Sequence, residues 1–154
     1  ELNIEEVNFT RVLQDVVDRF RDTLVEEQSQ FSVDIEANLS GEGDRVRFEQ
    51  IATNILSNAV KYGDGNPVDV SLSGDDGSVY LVVRDRGIGI ASEEHPKIFG
   101  QFHRVNPEDT RDSYGMGLWI VQKCVDVLSG EIDLASTPGE GATFTVTLPR
   151  YFEH

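Results

Sequence analysis

Apolar residues recur along the first quarter of the chain with a helical period. Val12, Leu13, Val16, Val17, Phe20 and Leu24 follow one another at spacings that keep to one helix face. The pattern predicts a helix opening at Thr10, whose hydroxyl can cap it. Residues 1–9 read as a connecting or edge segment. From Phe31 to Ala37 the period changes to two, which predicts a strand. Ser40-Gly41-Glu42-Gly43-Asp44 reads as a loop. A second helix is expected over 45–62, with Phe48, Ile51, Ala52, Ile55 and Ala59 as its apolar stripe and a stop at Gly63-Asp64-Gly65-Asn66-Pro67. Strands are expected over 68–73 and 79–84, joined by the turn Gly74-Asp75-Asp76-Gly77. Residues 86–115 are rich in glycine, proline and charge and predict only short helical pieces. A third helix over 116–128 ends at Gly130. Two strands follow, over 132–136 and 142–148, around Thr137-Pro138-Gly139-Glu140-Gly141.

This order predicts a two-layer α/β sandwich with a mixed, mostly antiparallel sheet and helices on one face. Short turns between neighbouring strands exclude a doubly wound dinucleotide fold, where helices alternate with strands. The expected division is a linker or edge segment over 1–9, one domain over 10–150 and a tail over 151–154.

Composition narrows the function. The chain has 154 residues, enough for one domain, with 38% hydrophobic and 27% charged residues. Its 28 acidic and 13 basic residues give a formal charge of -15. Such a surface disfavours nucleic acid. It also means that an anionic nucleotide needs a local site of magnesium, backbone N–H groups and a few cations. Cys124 is the only cysteine, so an internal disulfide and a cysteine zinc cage are excluded, and it reads as a buried thiol. No apolar run reaches the roughly 18 residues that span a bilayer, and Glu1–Glu6 lacks the pattern of a signal peptide. Direct membrane contact is therefore not expected. A cytoplasmic setting fits, and a longer parent anchored in the inner membrane remains compatible with it.

Four places carry candidate chemistry. Gln50, Asn54, Asn58 and Lys61 share one face of the second helix, opposite its apolar stripe. Amide oxygens are hard ligands for magnesium and lysine is a point charge for phosphate. An ordinary solvated face would look the same. Asp85-Arg86-Gly87-Ile88-Gly89 ends an apolar strand, either as an acidic turn or as a carboxylate that accepts an amino proton. Gly115-Met116-Gly117-Leu118 opens the third helix, where N–H groups favour phosphate. Gly139-Glu140-Gly141-Ala142-Thr143-Phe144 is a hairpin turn or a nucleotide-side loop with a hydroxyl to offer.

Taken together and in order, these motifs resemble the N, G1, F, G2 and G3 boxes of sensor histidine kinases. The boxes are Asn54…Asn58-Ala59-x-Lys61-Tyr62, Asp85-x-Gly87-x-Gly89, Phe99-x-x-Phe102, Gly115-x-Gly117-Leu118 and Gly139-x-Gly141-x-Thr143-Phe144. These kinases share a superfamily with the gyrase, Hsp90 and MutL ATPases. The resemblance covers about residues 5–150 and implies a Bergerat-type ATP site. It implies that Asn58 coordinates magnesium, with Asn54 as a candidate second contact. Lys61 would meet phosphate and Tyr62 would pack near the nucleotide. Asp85 would accept the adenine amino proton, with Gly87 and Gly89 shaping that pocket. Phe99 and Phe102 would anchor a lid over roughly 100–114. Gly115, Gly117 and Leu118 would close over the phosphates, and Thr143 would lie near adenine. Ser113 stands where this family often has a further glycine.

The resemblance also separates kinase from hydrolase. Hydrolysing members carry a glutamate base one helical turn before the metal-binding asparagine. Here that position is Asn54, and an amide cannot accept a proton from water at useful pH. Phosphoryl transfer to a histidine is the expected reaction, with ATP and magnesium as cofactors. His95, His103 and His154 lack the following acidic residue that marks a phosphoacceptor in this family. The expected partners are therefore a histidine-bearing dimerisation domain of the same parent, placed before Glu1, and a response-regulator receiver domain. The alternative is a degenerate module that senses nucleotide or docks partners without transferring phosphate.

Overall fold

The computed structural model describes residues 2–24, 31–63, 65–99 and 117–152. A short strand β1 (Glu5–Asn8) leads directly into helix α1 (Phe9–Leu24). Strands β2 (Phe31–Ile35) and β3 (Ser40–Gly43) precede helix α2 (Arg45–Tyr62). The hairpin of β4 (Val68–Gly74) and β5 (Ser78–Arg84) follows. Helix α3 (Gly117–Val127) and the hairpin of β6 (Glu131–Ser136) and β7 (Ala142–Pro149) complete the order.

Five strands form one sheet in the order β2-β4-β5-β7-β6. Only the β2–β4 pair is parallel; the other three pairs are antiparallel. The expected two-layer α/β sandwich, mixed and mostly antiparallel, is the observed fold. Alternation puts Val68, Val70 and Leu72, then Val79, Leu81 and Val83, then Phe144, Val146 and Leu148 on one buried face. The register sets Val70 beside Val83 and Val83 beside Phe144. Ile51, Ile55, Leu56 and Ala59 of α2 and Val121 and Val125 of α3 are buried in the same core. Each buried aliphatic side chain of this kind contributes about 1.5–3 kcal/mol relative to exposure.

Two details differ from the sequence expectation. Residues 40–43 form a strand instead of a loop, paired antiparallel with β1 as a separate two-stranded ribbon. Gly41 makes this possible, because a Cβ there would collide with the carbonyl of Arg150, which accepts a hydrogen bond from Glu42 N at 2.7 Å. β1 itself lies within residues 1–9, the stretch read as a linker or edge segment. Finally, Thr10 does not cap α1. Asn8 Oδ1 accepts from Arg11 N at 3.1 Å and fills that role. Thr10 lies inside the helix, where its hydroxyl donates to the carbonyl of Glu36 (2.7 Å) and accepts from Leu39 N (2.8 Å).

Candidate functional site

α2 carries the polar row from one end of the molecule to the other. Asp44 caps its start, with Oδ1 accepting from Arg47 N at 3.2 Å. Further along, the row of Asn54, Asn58 and Lys61 is half-buried beside the buried stripe. The amide of Asn54 donates through Nδ2 to the carbonyl of Gln50, one turn earlier, at 2.7 Å. Its Oδ1 is thereby turned the other way, and a Cβ added at Gly117 would lie 3.5 Å from it. The first residue of α3 thus meets α2 at Asn54. Asn58, one turn on, makes no side-chain hydrogen bond to another described residue. Gln50 accepts a long bond from the buried thiol of Cys124 at 3.4 Å, and burial pushes that thiol's pKa up.

The end of α2 closes on the loop after β5. Ile88 N donates to the carbonyl of Tyr62 at 3.3 Å. A Cβ at Gly87 would collide with that same carbonyl, and a Cβ at Gly63 would come within 3.7 Å of the Asp85 Cβ. Gly89, at φ 71°, would meet the carbonyl of Thr137 if it carried a side chain. The close approach that these glycines permit is to the protein's own backbone.

Asp85 sits at the centre of this closure, 2% exposed. Its Oδ1 accepts two backbone hydrogen bonds, from Gly87 N at 3.0 Å and Ala142 N at 3.2 Å. Its backbone N donates to the carbonyl of Ala142 at 2.9 Å. Oδ2 accepts from no described residue, and no described cation pairs with the group. Burial raises the Asp85 pKa, and the two backbone N–H groups only partly oppose this. The result is a carboxylate locked in orientation by one oxygen, with the other still able to accept. Neighbouring Arg86 is engaged elsewhere, 2.6 Å from Asp69.

The last motif is a hairpin turn entering β7, as its sequence reads. Ala142 makes the contact with Asp85, and Phe144 is buried with it on the inner face. Thr143 lies between them in β7, half-buried and paired with Arg84 and Ala135. Strand alternation therefore puts its hydroxyl on the opposite face of the sheet. Gly141, at φ 87°, has no room for a Cβ because the carbonyl of Asp85 occupies it. Ser136 was not singled out by any motif. Its hydroxyl accepts from Ile90 N and donates to the carbonyl of Gly141, both at 2.7 Å.

Phe99 packs edge-to-face on Phe144, with ring centroids 6.2 Å apart. That ties the start of the expected lid to the strand beside Asp85. Phe102, Gly115 and the rest of the expected lid over 100–114 lie outside the described residues. Gly117 and Leu118 are half-buried at the start of α3. Among the described residues no group of three or more His, Cys, Asp or Glu side chains could hold a metal. A divalent cation here would depend on amide oxygens and on the phosphates of a ligand.

The fold agrees with that of related proteins. Residues 43–151 match the family described as histidine kinase-, DNA gyrase B- and HSP90-like ATPase. The chain belongs to that family. Among curated family members, the sensor histidine kinase AtsR of Burkholderia thailandensis is 37% identical over 150 residues, which is 93% of this chain. The chain spans only 25% of AtsR, and 31% of the haem sensor protein HssS of Staphylococcus haemolyticus. Among solved members, the mycobacterial sensor histidine kinase MprB superposes with a TM-score of 0.82 at 26% identity, covering 98% of this chain and 100% of that one. Full-length ShkA in complex with AMPPNP superposes with a TM-score of 0.85 at 26% identity, covering 97% of this chain and 31% of that one. This family's nucleotide-binding catalytic domain is therefore the architecture built around Asp85 and α2.

Proposed function

We propose that the chain binds Mg-ATP beside the C-terminal half of α2 and presents its terminal phosphoryl group to a histidine carried outside residues 1–154. The observation that carries this reading is Asp85. A buried carboxylate fixed by two backbone donors on one oxygen, with the other oxygen unshared, suits an adenine amino group. The AMPPNP complex of ShkA supports a nucleotide in the same architecture.

The residues present fit the rest of the ligand. Asn58, free of described side-chain partners, and the turned oxygen of Asn54 offer neutral hard donors. Magnesium bound there would neutralise phosphate charge. Lys61 lies one turn beyond Asn58 on the same helix, where an ammonium serves phosphate. The N-terminus of α3, at Gly117 and Leu118, adds backbone N–H groups beside Asn54. Thus the protein orients the nucleotide and balances its charge, which is most of what phosphoryl transfer asks of it.

Transfer is favoured over hydrolysis by the state of the nearest carboxylate on α2. Glu49 is held by Arg19 at 2.6 Å and approached by Arg45 at 3.7 Å. That pairing turns Glu49 toward α1, which argues against its serving as a base for water. The acceptor histidine belongs to a dimerisation domain of a longer parent, and the receiver domain of a response regulator takes the phosphoryl group next. In that parent this domain works in the cytoplasm. Among the described residues, no helix is long and apolar enough to cross a membrane.

Calorimetry with ATP, with and without magnesium, tests the binding step. Magnesium-dependent affinity in the micromolar to millimolar range is expected. Adding a histidine-bearing dimerisation domain should yield acid-labile phosphate on that domain. Binding without any labelling would leave a nucleotide sensor and remove the transfer step.

A further inference from the structure

Ser136 is the last residue of β6 and belongs to none of the sequence boxes. It is nevertheless placed where the loop 85–90 and the turn 137–141 meet, and it bonds to both. A serine hydroxyl has one proton to donate and lone pairs to accept with. Here both functions are used, toward Gly141 O and from Ile90 N, each at 2.7 Å. A second tie runs alongside, from Gly139 N to the carbonyl of Ile88 at 2.8 Å.

The bond to Gly141 has a consequence one residue further on. Gly141 C=O and Ala142 N–H belong to the same peptide unit, which is planar and trans, so the two groups point in opposite directions. Ala142 N–H is one of the two donors on Asp85 Oδ1. Gly139 and Gly141 both have positive φ, in the region glycine enters without penalty, so their own steric preferences do not fix this peptide plane. The Ser136 hydroxyl does fix it. By holding the carbonyl it aims the N–H at Asp85.

We propose that Ser136 is a positioning residue for base recognition, acting through the Gly141–Ala142 peptide to hold Asp85 in the orientation that accepts an exocyclic amino group. The other bond, from Ile90 N, adds a link toward the expected lid. Ile90 O is 2.9 Å from the His95 ring Nε2, at the start of the segment that runs to Phe99. Ser136 thus sets the loop and the turn at once. The inference rests on the assignment of Asp85 to the adenine amino group.

The test is base discrimination, because a merely structural serine would weaken all nucleotides alike. Affinities for ATP and for the triphosphate of unsubstituted purine riboside, which lacks the amino group, are measured by competition with a fluorescent nucleotide. The chains compared are the wild type, Ser136→Ala, Ser136→Thr and Asp85→Asn. The wild type should prefer ATP by about tenfold or more, the scale of a hydrogen bond to a charged acceptor. Ser136→Ala should lose at least threefold of that preference, almost wholly through weaker ATP binding. Ser136→Thr, which keeps the hydroxyl, should restore it. If Ser136→Ala lowers the yield of folded protein, Ser136→Cys, of similar shape but weak in hydrogen bonding, gives the same comparison. Equal weakening of both nucleotides, or an unchanged preference, would overturn the role of Ser136. An unchanged preference in Asp85→Asn would overturn the adenine assignment itself, which separates the two failures.

Discussion

Two aspartates of this protein are almost equally buried and have opposite surroundings. Asp44 is 3% exposed at the start of α2, and Asp85 is 2% exposed beyond its end. For Asp44, burial alone would raise the pKa. Hydrogen bonds from Asn3 N and Arg47 N, and the bond and charge of the Arg47 guanidinium at 2.6 Å, outweigh burial and lower it. For Asp85 the desolvation is heavier and meets only two backbone N–H groups, both on one oxygen, and the pKa rises. Asp44 is finished: each oxygen has a partner and the helix start is secured. Asp85 is incomplete without something further. A protein that keeps a carboxylate desolvated, with one oxygen unshared and no cation beside it among the described residues, gives up stability there. The difference sets the finished start of α2 apart from the end that carries the candidate site.

This contrast can be broken most severely at Asp44. Asp44→Ala removes the α2 cap and strands the guanidinium of Arg47, at an expected cost of about 2–3 kcal/mol. Urea unfolding should show this, while nucleotide affinity of the folded fraction stays within about threefold. Asp85→Asn should do the reverse. ATP affinity should fall about tenfold or more, equivalent to at least ~1.4 kcal/mol, with the melting temperature unchanged or raised. A melting temperature lowered as far as in Asp44→Ala would erase the distinction.

Titration sharpens the same comparison, with opposite signs at the two ends. The folded pKa of Asp44 is depressed, so its stabilisation is present above the ordinary value of 3.8 and is lost as pH falls through the folded value. The folded pKa of Asp85 is raised, so its contribution is full below 3.8 and is lost as pH rises through the folded value. Wild type should therefore gain on Asp44→Ala, and lose ground to Asp85→Asn, as melts are run from pH 3 to pH 7. Parallel pH profiles for both pairs would contradict the assignment. The smallest effect is expected at Gly139, whose φ of 84° is strained for other residues but whose surroundings are empty within 4 Å. Gly139→Ala should cost about 1 kcal/mol in urea unfolding and leave the preference for ATP over the amino-free nucleotide intact.

Much of this was legible in the chain. The limits of α2 agree with its apolar stripe and its glycine stop, because both signals are local and strong. The order of Asn54, Asn58, Asp85 and Gly117 named a candidate site, and the fold brings Gly117 beside Asn54 and Gly87 beside Tyr62. What escaped depends on partners distant in sequence. Ser40–Gly43 has no strand pattern of its own and becomes a strand because β1 and Arg150 supply the other half. Thr10 looked like a cap because it precedes the stripe, whereas the carbonyl of Glu36 and N–H of Leu39 claim its hydroxyl. Ala142 offers no polar side chain to notice, yet its backbone N–H makes the contact with Asp85. Ser136 carried no signal at all, since one serine at a strand end is indistinguishable from any other until Ile90 and Gly141 arrive on either side.

The ribbon of β1 and β3 has a mechanical consequence. Asn3 N donates to Asp44 at 3.0 Å, and Phe152 N donates to Glu42 at 3.1 Å, so the first and last parts of the described chain are moored two residues apart. Arg150 adds bonds to the carbonyls of Ser40 and Asp75, both at 2.8 Å. Asp85 lies at the other end of β5, roughly 20 Å away at ordinary strand rise. Tension applied between residues 3 and 152 would therefore load the ribbon and Arg150 first, at the end of β5 away from Asp85.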